Sequence, residues 1–184
     1  MRKRPFNEDW NSLLHLLGTD KECNLFEHIH GDKDIEELTA AIIRCSAESC
    51  RHATRFDEIT ESHLLNAMLA LLRYYNPPSD QNLHNVIRML NIGAKETSSS
   101  SLEEFVCRIT GEKTADERCL LLDSIFYELE KVEPKSFAVN QYKTFRAAAG
   151  HSINSIFCSC ACRLQMLVPA LEKLSVREFC DEQD

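Results

Sequence analysis

Leu64-Leu65-Asn66-Ala67-Met68-Leu69-Ala70-Leu71-Leu72-Arg73-Tyr74-Tyr75, stopped by Asn76-Pro77-Pro78, is the stretch on which the fold of this chain turns. Leu65, Met68, Leu69, Leu72 and Tyr75 recur at spacings of three and four, so they form one apolar stripe on an α-helix. The helix is expected over 58–75, because a proline bars the residue before it from the α region.

The same pattern repeats on both sides. Upstream, Asp34 and Glu37 have the spacing of an N-cap pair, and Ile35, Leu38, Ile42 and Cys45 carry a helix to about Cys50. The polar residues 51–57 read as a loop. Downstream, Ser79 or Asp80 can cap a helix whose inner face is Leu83, Val86, Ile87 and Leu90, with Gly93 placed as a left-handed C-terminal cap. After the serine-rich link 97–101, Ser101 with Glu104 and Thr114 with Glu117 are capping boxes for two further helices. Gly111 ends the first and Pro134 the second. Ser136 caps a helix that runs to Ala149 and stops at Gly150. Another starts at Ser152 and reaches about Val168, where Pro169 breaks or kinks it, and a last turn or helix covers 176–180. Nowhere do four residues alternate with the period of two that a half-buried strand requires. The fold class is therefore all-α, a compact bundle of about seven helices over residues 24–180. Residues 1–23, with Trp10, Leu13, Leu14, Leu16 and Leu17, are a flank or short helix, and 181–184 a tail.

Composition narrows the function. With 184 residues, 43% hydrophobic and 27% charged, the chain can bury one real core. No apolar stretch approaches the ~20 residues of a membrane span, and the basic start Met1-Arg2-Lys3-Arg4-Pro5 lacks the apolar run of a signal peptide. A cytoplasmic location is expected. Nine cysteines set mostly in apolar helical runs read as reduced core thiols. The net charge of −8 argues against indiscriminate binding to nucleic-acid backbones and suits a protein partner with basic segments.

Reactive chemistry finds little support. A phosphate-cradling GxxxxGKS/T loop is missing, and Ala149-Gly150-His151-Ser152, the nearest approach, reads as a helix end followed by a helix start. His28 and His30 with Asp32 could be a metal fragment, but no third ligand stands at useful spacing. Cys158, Cys160 and Cys162 could contribute to a zinc site with Cys45, Cys50 and His52. On a helix, however, Cys158 and Cys162 share a face that Cys160 does not. No catalytic residue and no cofactor is expected, and a small zinc-binding helical protein is kept as an alternative. One basic grouping stands out: Lys135, Lys143, Arg146 and Arg163, with Gln141 and Tyr142, fall on the two late helices. Lys143 and Arg146 are neighbours on one face. That grouping reads either as a solvated face or as a small site for single-stranded DNA or an acidic peptide.

The segment Lys135-Ser136-Phe137-Ala138-Val139-Asn140-Gln141-Tyr142-Lys143-Thr144-Phe145-Arg146-Ala147-Ala148-Ala149-Gly150-His151-Ser152 resembles a signature of the TraG/TraD-type coupling proteins of type IV secretion systems, S-x-A-x-x-Q-Y-K-x-F/Y-K/R-x-A-A-G-K-S/T. The following Ser155-Ile156-Phe157-Cys158-Ser159-Cys160-Ala161-Cys162-Arg163-Leu164 is similar to the family's S-I-L-x-S-x-x-x-R-L. The segments 64–75 and 82–90 resemble the family's helices on either side of a proline turn, and 24–29 its N-P-F-D-x-I, with Leu25 in place of proline. The resemblance covers about residues 24–175. His151 departs from it, standing where the family has lysine, and Arg55-Phe56-Asp57-Glu58 replaces the usual D-P-F-W. It implies an all-α domain of a motor ATPase that forms a membrane-anchored homo-hexamer, with the ATP-hydrolysing motifs outside this chain. The domain would recruit relaxase–DNA complexes, relaxosome accessory proteins or secreted protein cargo to the channel in conjugative transfer. Lys135, Gln141, Tyr142, Lys143, Arg146, His151 and Arg163 are the residues through which it would contact a partner or single-stranded DNA.

Overall fold

The structure, a computed structural model, describes residues 25–46, 54–111 and 118–181, with the side chains of His151 and of residues beyond Val168 outside that description. Seven α-helices lie among the described residues: α1 (Asp32–Ser46), α2 (Arg55–Tyr75), α3 (Leu83–Gly93), α4 (Ser100–Thr110), α5 (Leu121–Val132), α6 (Phe137–Ala149) and α7 (Ile153–Asp181). The fold is the expected all-α bundle. Its only sheet among these residues is a two-residue antiparallel pair, β1 (Glu96–Thr97) and β2 (Cys119–Leu120), with Glu96 opposite Leu120. Pairs this short leave no alternating pattern to read.

α2 is the axis of the bundle. It packs along α6 and also against α1, α3 and α7. Every residue from Leu64 to Leu72 is buried, so this helix is enclosed on all sides and not along one stripe. Each fully buried leucine here stabilises the fold by about 2 kcal/mol. Tyr75, expected on the stripe, lies beyond the enclosed stretch and is exposed. α2 also begins earlier than the apolar pattern suggests. The Thr54 hydroxyl accepts from the Asp57 N–H, and the Asp57 carboxylate accepts from the Thr54 N–H at 2.9 Å. This reciprocal cap starts the helix at Arg55.

Other ends are set by short-range chemistry. Asp34 acts from inside α1, its carboxylate accepting from the His30 and Gly31 amides. Asn82, not Ser79 or Asp80, caps α3 by accepting from the Asn85 N–H, because 78–80 form a separate 3-10 turn. Ser99, not Ser101, caps α4. Ser136 caps α6 as expected. Gly111 and Gly150 end α4 and α6 with positive φ, a backbone that favours glycine. Gly93 has no positive φ; it is buried, and a Cβ there would lie 3.2 Å from the Leu122 side chain, so its role is close approach of α3 to α5. Pro169 does not end α7, whose backbone continues to Asp181. The missing N–H forfeits one i→i−4 bond within a long helix. The expected Thr114–Glu117 cap and residues 1–23 lie outside the described residues.

Candidate partner-binding site

The signature segment 135–164 spans α6, the turn at Gly150–Ser152 and the first turns of α7. Along α6 the residues Val139, Tyr142, Arg146 and Ala149 recur at spacings of three, four and three and all are buried. Arg146 therefore stands on the apolar stripe and points inward. Its Nε donates to Asp123 Oδ1 at 2.9 Å, and its Nη2 to the Arg118 carbonyl at 2.6 Å. The Tyr142 hydroxyl donates to the same Asp123 oxygen at 2.8 Å, while Asp123 Oδ2 accepts from the Leu120 N–H at 2.6 Å. One buried carboxylate thus joins α6 to the start of α5 and to β2. The Tyr142 ring stacks on Phe126 with centroids 4.0 Å apart. Burial, and then the Asp123 charge, push the Tyr142 phenol well above its ordinary pKa.

Arg163 repeats the arrangement on α7. It is fully buried, with Nε donating to Glu61 Oε2 at 2.7 Å and Nη1 to Ser46 Oγ at 2.8 Å and the Ile43 carbonyl at 3.3 Å. This guanidinium ties α7 to α2 and to the last turn of α1. Bonds of this kind between charged groups in a low-dielectric interior are strong, and the penalty for leaving either partner alone is large.

The remaining candidates lie nearer the surface. Lys143 is half-buried and donates to Glu130 Oε1 at 2.9 Å; Arg108 donates to the other oxygen of the same carboxylate. Burial works against the Glu130 charge, but these two cations hold its carboxyl below the usual range. Gln141 Oε1 lies 2.6 Å from His63 Nδ1 and 3.4 Å from Asn66 Nδ2, joining α6 to α2. Lys135 is exposed in the α5–α6 turn. His151 sits in the Gly150–Ser152 turn. The seven residues therefore do not form one exposed basic face. Tyr142, Arg146 and Arg163 are interior, and Lys143 faces a carboxylate, so the pairing of Lys143 with Arg146 as a DNA-contacting surface is corrected. Both arginines occupy the apolar register of their helices, which is the signal that places them inside.

The metal fragments do not come together either. Among the described residues no three His, Cys, Asp or Glu side chains converge as metal ligands. Cys50 and His52 lie outside those residues. Asp32, from the His28/His30 fragment, instead accepts from the Tyr74 hydroxyl at 2.7 Å.

No family model, no curated protein and no solved structure matches the chain. The geometry stands alone. Among the described residues no helix is long and apolar enough to cross a membrane. What the bundle presents outward at the C-terminal end of α2 is aromatic and acidic. Tyr74 and Tyr75 are exposed, their hydroxyls donate to Asp32 and to Glu133 (2.6 Å), and Val132 beside Glu133 is 77% exposed.

Proposed function

We propose that this chain is a substrate-recognition domain of a type IV coupling protein, recruiting relaxase, relaxosome accessory proteins or secreted protein cargo for conjugative transfer. The resemblance of residues 135–164 supplies the family, and the internal use of that segment's arginines is the observation that carries the reading. Arg146 and Arg163 are held by Asp123 and Glu61 in the core, so the signature marks a way of folding and not a phosphate-binding face. A chain of net charge −8 that keeps Arg146 and Arg163 inside is poorly equipped to follow a nucleic-acid backbone. It is better equipped for a protein bearing basic and apolar side chains, which Tyr74, Tyr75 and Val132 beside Asp32 and Glu133 can receive.

Single-stranded DNA binding is the second reading, favoured by Lys135 and Lys143, which retain some exposure. The test is capture of the relaxase and accessory proteins encoded beside this chain by the purified chain itself. Capture that survives moderate salt is the expected result. Failure to capture any of them refutes the adaptor reading.

A further inference from the structure

Tyr74 and Tyr75 close α2 as consecutive exposed aromatics, 43% and 37% open to solvent. Their ring planes stand at 88° with centroids 6.4 Å apart, so they form a corner and not a stack. Each ring is held by a carboxylate from another part of the fold. The Tyr74 hydroxyl donates to Asp32 Oδ1 at 2.7 Å, at the start of α1. The Tyr75 hydroxyl donates to Glu133 Oε2 at 2.6 Å, just after α5. Partial burial raises the Tyr75 phenol, and the charges of Glu133 and of Asp32 add to it, so Asp32 stands beside both rings.

What the corner lacks is a cation. Lys33, next to Asp32 in sequence, has its ammonium 3.4 Å from Glu37. Arg73, next to Tyr74, donates to the Ile29 carbonyl at 2.7 Å and to Gln81 Oε1 at 3.2 Å. Among the described residues neither Asp32 nor Glu133 is paired with a Lys or Arg side chain. By contrast Asp123, Glu61 and Glu130, which also join separate helices, each hold a guanidinium or an ammonium.

Two rings and two carboxylates suit a guanidinium. An aromatic face attracts a cation through its quadrupole, and donating to a carboxylate polarises each phenol and makes that face more negative. A guanidinium is flat, so it can lie on a ring while its N–H groups donate in its own plane to carboxylate oxygens. The compact ammonium of lysine has no such plane. Each carboxylate has a second oxygen besides the one its tyrosine uses. Val132, 77% exposed beside Glu133, offers an apolar contact to a neighbouring side chain. A phosphate would meet two negative charges here.

We propose that the Tyr74–Tyr75 corner, flanked by Asp32 and Glu133, is the seat for an arginine side chain of a protein partner. The guanidinium lies on the rings and donates to the two carboxylates. The proposal rests on the adaptor reading only for which protein carries the arginine.

The test uses the full chain, carbon-13 labelled at tyrosine, and a short capped peptide of alanines and leucines with one central arginine. The ring resonances of Tyr74 and Tyr75, assigned with Tyr74→Phe and Tyr75→Phe, are followed as peptide is added. The expected result is saturable shifts of both, with affinity about tenfold above that of the same peptide carrying citrulline, the neutral isostere of arginine. The lysine peptide binds more weakly than the arginine peptide. Asp32→Asn/Glu133→Gln, which keeps an acceptor for each hydroxyl, loses the preference for arginine over citrulline. No shift in either ring, or citrulline bound as tightly as arginine, overturns the corner. Lysine bound as tightly as arginine overturns the guanidinium assignment. Capture of relaxase or accessory proteins undiminished in Asp32→Asn/Glu133→Gln overturns the corner as their docking point and leaves the adaptor reading standing. An arginine peptide that binds while the wild-type chain captures none of those proteins refutes the adaptor reading alone.

Discussion

Arg163 and Glu61, 102 residues apart in sequence, meet in the core with Nε and Oε2 at 2.7 Å and both side chains shut away from water. Arg163→Ala leaves the Glu61 charge buried without its partner, and a loss of about 3–5 kcal/mol is expected. Replacing both, as Glu61→Leu with Arg163→Met, removes the stranded charge and is expected to recover most of that stability. Urea unfolding of the single and double variants measures both. A single variant as stable as wild type would contradict the pairing.

Asp123 serves three donors at once: Arg146, the Tyr142 hydroxyl and the Leu120 amide. Tyr142→Phe removes one bond to a charged acceptor and is expected to cost about 2 kcal/mol. Asp123→Ala strands Arg146 and uncaps α5 together, so its midpoint in urea should fall further than that of Tyr142→Phe. The reverse order would mean that Asp123 is not the hub.

High pH should unfold the chain for a definable reason. Full burial of Tyr142, and the partial burial of Tyr74 and Tyr75 where they lie against the fold, raise these phenols above their ordinary 10, with a neighbouring carboxylate adding to each. Burial likewise pushes the Cys119 thiol from 9.0 to about 11. The unfolded chain releases these protons first, so stability is full below pH 9 and falls as pH rises beyond it. The tyrosinate absorbance of Tyr142, read as the difference from Tyr142→Phe, should therefore appear together with the loss of helical circular dichroism. Full tyrosine ionisation in a chain that remains helical would contradict this.

Thr54 and Asp57 give an opposite dependence at low pH. Hydrogen bonds from the Thr54 side chain and amide hold the Asp57 carboxyl below its ordinary 3.8. A depressed folded pKa adds stability above that value and loses it as pH falls through the folded pKa. Thr54→Ala should cost about 1 kcal/mol at neutral pH and should flatten this part of the acid titration. Thermal melts between neutral and acid pH read both effects.

Much of the fold was legible because helices announce themselves by period and by their stops. Pro77, Pro134, Ser136, Gly111 and Gly150 act where the sequence puts them. The position of α2 at the centre was less legible, since an apolar stripe and an enclosed helix differ only in how many faces find neighbours. Gly93 misled for a related reason: glycine marks both a left-handed cap and a close approach, and only the Leu122 side chain 3.2 Å from its virtual Cβ separates them. The candidate site was read through charge, which suggests solvent. Arg146 and Arg163 nevertheless stand in the apolar register, and their carboxylate partners lie 23 and 102 residues away, beyond any local pattern.

The proposed adaptor role requires that this domain bind protein and not DNA. Parallel titrations of the purified chain with relaxase and relaxosome accessory proteins and with labelled single-stranded DNA, at low and at moderate salt, test it most directly. The account predicts protein binding that persists at moderate salt and is weakened by Tyr75→Ala with Val132→Asp, with DNA binding absent or far weaker. DNA binding that falls steeply with salt and is lost in Lys143→Ala, with no relaxosome protein bound, would contradict it.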